Sequence, residues 1–241
     1  MPPLHVRELG VVPYLEAWEL QKRLAADRAA DRVPDTLLLL EHPHTYTFGR
    51  SGQRANLLWS EAECAARGIE LHWVDRGGDI TYHGPGQLVG YPILKLGTPD
   101  AANGRLPQTD YVGYMRRLEE MLIRVLLRFG LVAGQLNGIT GVFVQPDVAS
   151  RCAHCPPAAR LAPSKIAQIG VKVDARGVSQ HGFALNVAPE MAYFEGIIGC
   201  GLREHAPISM ADLLGAPPDP AAVRAAAVRE FAQILEREVI A

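Results

Sequence analysis

Residues 76–94 read RGGDITYHGPGQLVGYPIL, with five glycines and two prolines in one short run. Glycine is costly in a helix, and proline removes a backbone donor and clashes with the preceding turn. No helix runs through this stretch, so the chain must build a bent wall here that leads into an extended run over 88–96. Gly77, Gly78 and Gly84 let backbone come close to a ligand, and Tyr82 and His83 supply polar edges along the same wall. The stretch matches neither G-x-x-x-x-G-K-[ST] nor a G-x-G-x-x-G that opens a helix, so a phosphate cradle is not indicated. The competing reading is an elaborate turn with no ligand.

Around that wall the periodicities alternate irregularly. Residues 12–30 form an amphipathic helix with Leu15, Trp18, Leu20, Leu24 and Ala25 near one face. DTLLLLEHP, residues 35–43, is a continuous apolar run that suits a strand buried on both sides. SEAECAARG, residues 60–68, has a capping serine, Glu63 three residues on and a terminal glycine, the marks of a short capped helix. Residues 109–130 give the clearest helix, capped by Thr109 and stopped by Gly130, with Tyr114, Leu118, Met121, Leu122, Val125 and Leu126 on its apolar face. GVFV, KIAQIGVKV and HGFALNV read as successive strands, and residues 220–240 as a final helix. Strands and helices without a regular βα alternation predict an α+β fold with a mixed or antiparallel sheet, organised as a single domain over 1–241.

Composition narrows the function classes. Basic side chains number 24 and acidic ones 26, so no global charge favours nucleic acid or an anionic membrane. No apolar run approaches the roughly 20 residues that cross a bilayer. The first residues lack the pattern of a signal peptide, and the cytoplasm is the expected compartment. The four cysteines are too few for a disulfide scaffold. Cys64, among alanines, reads as a small buried hydrophobe. Cys152 and Cys155, in CAHC, have the spacing of half a zinc site, but no second pair exists at suitable spacing, and a mobile loop with two free thiols is the expectation.

Cys200 differs, because Gly199 and Gly201 flank it and leave the sulfur open to a substrate. A thiolate nucleophile needs a nearby cation or dipole to depress its pKa. Lys165, His83 and His181 are the candidates, although a lysine or a histidine at a strand start is more often structural.

As an ordered set, LLLEHPHTYTFGR, RGGDITYHGPGQLVGYPIL, GVFV, KIAQIGVKV, HGFALNV and F-x-x-I-x-x-C-G resemble the successive motifs of the lipoyl(octanoyl) transferase family over about 37–213. The resemblance implies an α/β domain, with a central mixed sheet flanked by helices, related to the biotin and lipoate protein ligase catalytic domains. It implies transfer of an octanoyl group from octanoyl-acyl carrier protein to a lysine of lipoyl domains, those of 2-oxoacid dehydrogenase complexes and the glycine cleavage H protein. It places the acyl-thioester cysteine at Cys200 and its partner at Lys165. Acyl-pocket positions fall on Arg76, Gly77, Gly78, Asp79, Ile80, Thr81, Tyr82 and His83, on Gln168, Ile169 and Gly170, and on Gly182, Phe183 and Ala184, with His181 in a supporting place. No cofactor and no metal are implied, and no nucleic acid or membrane partner. Gly199 departs from the proline common in the family, and the CAHC segment has no family role. Backbone N–H groups near Gly201 or Gly170 are candidate oxyanion donors.

Two other readings compete. An ATP-dependent lipoate or biotin ligase shares the fold but needs a nucleotide site and no Cys200. A non-catalytic acyl-carrier-binding protein would form no covalent adduct. For docking an acidic carrier, Arg116, Arg117, Arg124, Arg128, Arg160 and Lys172 are the basic candidates, most of them expected on a solvated face.

Overall fold

The computed structural model describes residues 1–100, 110–201 and 204–240, with the side chain of Cys200 excepted. Its strands are β1 (Pro3–Val11), β2 (Asp35–Glu41), β3 (Thr45–Phe48), β4 (Glu70–Trp73), β5 (Ile80–His83), β6 (Gln87–Ile93), β7 (Gly134–Leu136), β8 (Ile139–Val144), β9 (Ser164–Val173), β10 (Ser179–Asn186) and β11 (Glu238–Ile240). Its helices are α1 (Tyr14–Ala29), α2 (Glu61–Ala66), α3 (Tyr111–Arg128), α4 (Pro146–Ala149), α5 (Met210–Leu214) and α6 (Pro220–Ile234).

Among the described residues, eight strands form a mixed sheet in the order β11-β1-β2-β6-β10-β9-β8-β7. β1 pairs in parallel with β2 and β11, whereas the run from β2 to β7 is antiparallel. A smaller sheet, β4-β3-β5, covers one region beside it. This is the α+β arrangement with a central mixed sheet that the irregular alternation predicts.

The leucine run in β2 shows why the large sheet is buried on both faces. Leu37 and Leu39 join the cluster under α3 and α6, while Leu38 and Leu40 join the cluster under α1. Every second side chain of a strand points the same way, so a continuous apolar run serves two cores at once. Gly90 of β6 faces Phe183 of β10, and a Cβ at Gly90 would lie 2.1 Å from the Phe183 ring. The missing side chain makes room for that ring within the sheet.

Several expectations change. The helical face of α1 is Tyr14, Ala17, Gln21, Leu24 and Ala25, whereas Leu15 is exposed. Trp18 lies at the edge of that face, with the Lys22 ammonium 3.9 Å from its ring centroid. Thr109 lies outside the described residues, and Asp110 caps α3, its carboxylate accepting from the Gly113 N–H at 2.7 Å. The tail is helical only to Ile234, because residues 238–240 leave the helix to pair with β1. α2 is capped as expected, Ser60 and Glu63 satisfying each other's backbone N–H groups.

The CAHC segment is neither a loose loop nor a pair of free thiols. Cys152 and Cys155 form a disulfide, their Cα atoms 5.4 Å apart, a separation within the normal disulfide range. α4 and a 3-10 turn at Pro157–Arg160 bracket it, and Ala149, Cys155 and Ala159 are buried in the main core. The His154 ring packs over Gly215.

Candidate active site

Glycine-rich wall and small sheet meet at β5, whose side chains alternate. Ile80 and Tyr82 point into the core of the small sheet with Tyr46 and Phe48, and Thr81 and His83 face a cleft against β9 and β10. Ile80 is thus a core residue rather than a cleft residue. So is Ala184, which packs under α1.

Arg76 fastens the wall. Its guanidinium donates to Thr47 O at 2.6 Å, to Asp79 O at 2.7 Å and to Gly77 O at 2.9 Å. The wall is stitched to β9 where the Gly77 N–H donates to Val171 O at 3.0 Å. Asp79 is buried and accepts from the Gln53 and Ile80 N–H groups and from Asn56 Nδ2. Both charged side chains therefore hold backbone in place. Gly170 answers the wall from the opposite side: a Cβ there would lie 2.9 Å from Gly77 O. At Gly182 a Cβ would lie 2.2 Å from Gly90 O.

The cleft has two parts. The outer cavity, about 450 Å³, is lined by Leu58, Phe194, Ile197, Ile198, Ala206 and Pro207, with Thr81, Lys165, Gln168, Glu195, Gly199 and His205 among its other lining residues. A smaller inner space of about 40 Å³ is lined by Tyr14, Arg76, His83, Tyr91, His181 and Phe183 together with Gly77, Gly78, Ile169, Gly170 and Gly182. Thr81 and Gln168 line both.

Lys165 and Gln168 stand three apart on β9, a spacing that normally sends side chains to opposite faces. Here the register slips. Val142 pairs with Ala167, and the next residue, Phe143, pairs with Lys165. The extra residue, Ile166, makes a β-bulge and goes to the core, so Lys165 and Gln168 reach the same cavity. Gly141 on β8 makes the space: its φ is +132°, and a Cβ would lie 2.5 Å from Lys165 Cε. The aliphatic stem of Lys165 is buried and its ammonium lies 5.3 Å from the Phe143 ring centroid.

Cys200 occupies the middle of a 3-10 turn, Gly199–Gly201. Its side chain lies outside the described residues, but its neighbour Gly199 lines the outer cavity together with Lys165. The Ile198 N–H donates to Asn56 O, and the Gly201 N–H donates to Ile198 O at 3.0 Å. The Gly201 donor is thus already engaged within the turn, which counts against it as an oxyanion donor. Gly201 has a φ of +68°, which glycine adopts without strain.

Behind the cleft lies a set of buried neutral imidazoles that the sequence reading credited only in part. Burial holds His42 down to about 4. Its Nδ1–H donates to Val12 O, so Nε2 accepts from the Tyr91 hydroxyl at 2.7 Å. Burial also holds His83 well below the usual imidazole value, with repulsion from His42 and Arg76 adding to it. The Gln87 amide donates to Tyr82 O and Asn186 Oδ1, so its oxygen accepts from His83 Nδ1–H. His181, at φ +55°, is lowered by burial and its Nε2–H donates to Asp75 at 2.8 Å. The hydrogen bond from His181 holds the Asp75 carboxyl well below the usual range, helped by Lys172. His42 and Tyr14 were not singled out from sequence. His42 precedes Pro43 in what reads as a strand end, and only the fold reveals its burial.

These imidazoles predict an acid-sensitive fold. In the unfolded chain each protonates near pH 6.5, while the folded protein keeps them neutral to lower pH. Below about pH 6.5 the unfolded state binds more protons, so stability is fully present above that value and falls as pH drops towards 4. The fall from 6.5 to about 4 at His42 is worth on the order of 3 kcal/mol by itself. Urea midpoints measured between pH 7.5 and 4.5 should decline steadily, and a His42→Gln variant should show a shallower decline. A flat profile would mean that these rings take up protons in the folded state as readily as in the unfolded chain.

The basic residues considered for docking are mostly engaged. Arg116 pairs with Glu119, Arg124 with Glu120, Arg128 with Glu230 and Lys172 with Asp75, and Arg160 donates to Cys152 O. A carrier would have to displace these contacts to use their charge. Among the described residues no helix is long and apolar enough to cross a membrane.

Residues 13–232 match the lipoyl protein ligase A/B catalytic domain. An octanoyltransferase of Chloroflexus aurantiacus is 41% identical over 238 residues, covering 99% of this chain and 96% of that protein. An octanoyltransferase of Rubrobacter xylanophilus is 42% identical over 234 residues, covering 96% and 94%. In fold, a bipartite lipoate protein ligase of Thermoplasma acidophilum aligns with a TM-score of 0.65 at 18% identity, covering all of this chain and 87% of that one. A lipoate-protein ligase A solved with ATP aligns at 0.63 and 18% identity, covering 100% and 89%. The ligases share the architecture, and the sequence likeness runs through the octanoyltransferases over nearly the whole length. The chain belongs to the lipoyl protein ligase A/B catalytic-domain family and, within it, to the octanoyltransferases.

Proposed function

We propose that this acyltransferase moves an octanoyl group from octanoyl-acyl carrier protein to a lysine of lipoyl domains, through a thioester on Cys200. The observation that carries the reading is the outer cavity, where the turn bearing Cys200 and the bulged strand bearing Lys165 form adjoining walls. Its apolar lining, Leu58, Phe194, Ile197 and Ile198, suits a medium-length acyl chain.

The chemistry needs no activated phosphate. In the first half, the Cys200 thiolate attacks the donor carbonyl, the carbonyl–sulfur bond to the carrier breaks, and the departing thiolate takes a proton from Lys165. One thioester replaces another, so activation is conserved. In the second half, a neutral amine attacks the acyl-cysteine, the carbon–sulfur bond breaks and an amide forms. Lys165 takes one amine proton and returns it to the sulfur. Intact mass spectrometry after exposure to octanoyl carrier protein should show one octanoyl increment, discharged by a lipoyl domain without ATP. A requirement for ATP would favour the ligase chemistry of the fold's relatives.

Gly141→Ala tests the placement of Lys165. The new methyl would collide with Lys165 Cε, and the positive φ adds strain. Misplacing a proton-transfer group by about 1 Å costs on the order of 100-fold. The variant should lose kcat by about that factor while a folded, thermally cooperative protein remains. An unchanged kcat would mean that the lysine works from another position.

A further inference from the structure

His205 brings to the outer cavity a hydrogen-bond acceptor for which the steps of transfer have no use. The ring is half-buried and lines that cavity. Its Nδ1–H donates to Pro163 O at 2.8 Å. A carbonyl only accepts, so the neutral ring keeps its bare lone pair on Nε2. No described residue donates to that nitrogen, and unlike Gln168 Oε1 it is not sealed inside the protein. Backbone pairing fixes the ring beside Lys165. The Lys165 N–H donates to Ala206 O at 2.9 Å, and the Ile208 N–H donates to Lys165 O at 3.0 Å. The His205 ring meets the Phe143 ring edge-on at 5.4 Å, and the Lys165 ammonium lies 5.3 Å from the centre of that same ring.

A donor for Nε2 must come from a substrate. The octanoyl chain carries only C–H bonds, and the thioester carbonyl accepts. In a pantetheine thioester the nearest N–H belongs to the amide two methylenes beyond the sulfur, on the side away from the acyl chain. That N–H loses water when the arm enters the cavity, so it needs an acceptor there. The other polar lining groups serve it less well. The Lys165 ammonium donates, Gln168 Oε1 is sealed, Glu195 is exposed, and Thr81 stands deeper, where the two parts of the cleft meet. We propose that His205 Nε2 accepts from this amide and so makes the enzyme select a pantetheine thioester over a plain one, an assignment that rests on the octanoyl-transfer reading. No bond to the arm is made or broken. The contact holds the arm in place while the carbonyl reacts at the Cys200 turn.

The test is a ratio of donors. Quenched-flow intact mass gives the second-order rate constant for acylation by octanoyl-pantetheine and by an analogue with an ester oxygen in place of this N–H. The two donors share one shape, so any damage to the cavity slows both and cancels in the ratio. In the unaltered enzyme the amide donor should lead by about three- to ten-fold. His205→Phe keeps a flat ring against Phe143 and removes the acceptor, so its ratio should approach unity. His205→Gln puts an amide oxygen near the place of Nε2 and should recover most of the preference. Equal rates for the two donors with the unaltered enzyme would overturn the proposal, and this result needs no variant to fold. A preference that survives in His205→Phe would overturn it too, as would a Gln variant no better than Phe. Should the ratio hold while His205→Phe slows only discharge to a lipoyl domain, the nitrogen would serve the attacking amine instead. If the unaltered enzyme forms no octanoyl adduct from either donor, the transfer reading itself falls, and this assignment with it.

Discussion

Cys200→Ser should lose octanoyl transfer by on the order of 10⁴-fold or more, and with it the octanoyl mass increment. The serine hydroxyl ionises far above neutral pH, so it does not supply an alkoxide as a thiol supplies a thiolate. An oxygen ester also lies well below a thioester in energy, so even a slowly formed adduct would not pass its acyl group on to an amine readily. The other cysteines make the control. Cys64 is fully buried in the core of the small sheet, and burial pushes its thiol up, so Cys64→Ala should keep both transfer and adduct. Cys152 and Cys155 are tied to each other and have no sulfur free to acylate. An octanoyl group mapped by peptide mass spectrometry to Cys152, Cys155 or Cys64 would remove Cys200 from the mechanism.

What the sequence made legible follows from which features are local. The capping box at Ser60 and the apolar face of α3 depend on neighbours within a few residues, and both are found where the pattern puts them. The resemblance in motif order implies Lys165, Gln168 and Cys200 as site residues, and Lys165, Gln168 and Gly199, the neighbour of Cys200, line the outer cavity. Other features depend on long-range pairing. The slip that brings Lys165 and Gln168 to one wall exists only against β8, and in KIAQIG the two residues read as lying on opposite faces. Residues 238–240 are helical by local preference and become β11 because β1 offers an unpaired edge. Thr81 and His83 earn their places by facing the cleft, whereas Ile80 and Tyr82 face away, a distinction that a glycine-rich run hides. His42 shows the same limit: the dipeptide His-Pro reads as the close of a strand, and only burial beside Tyr14 and Tyr91 makes it a neutral ring.

Lys165→Ala is expected to slow both half-reactions, and the pH dependence of thiol alkylation should show how. If the ammonium stabilises the Cys200 thiolate, its removal raises the thiol pKa towards the ordinary value near 8.5. Iodoacetamide alkylation of Cys200 near pH 7 should then slow by about ten-fold, and the two enzymes should converge above about pH 9, where both thiols are ionised. Transfer should fall further than alkylation, on the order of 10³-fold, because the amine step also loses its proton acceptor. Lys165→Arg separates charge from proton transfer. An arginine keeps a cation but does not deprotonate at working pH, so it should restore part of the alkylation rate and little of the amide-forming step. The bulge and the open Gly141 position leave a narrow channel for the stem, and the larger guanidinium will fit there less well, so the thermal midpoint must be measured for each variant. Alkylation profiles that coincide for Lys165→Ala and the unaltered enzyme across the whole range would mean that another group activates the thiol, and the loss of transfer would then report only on the amine step.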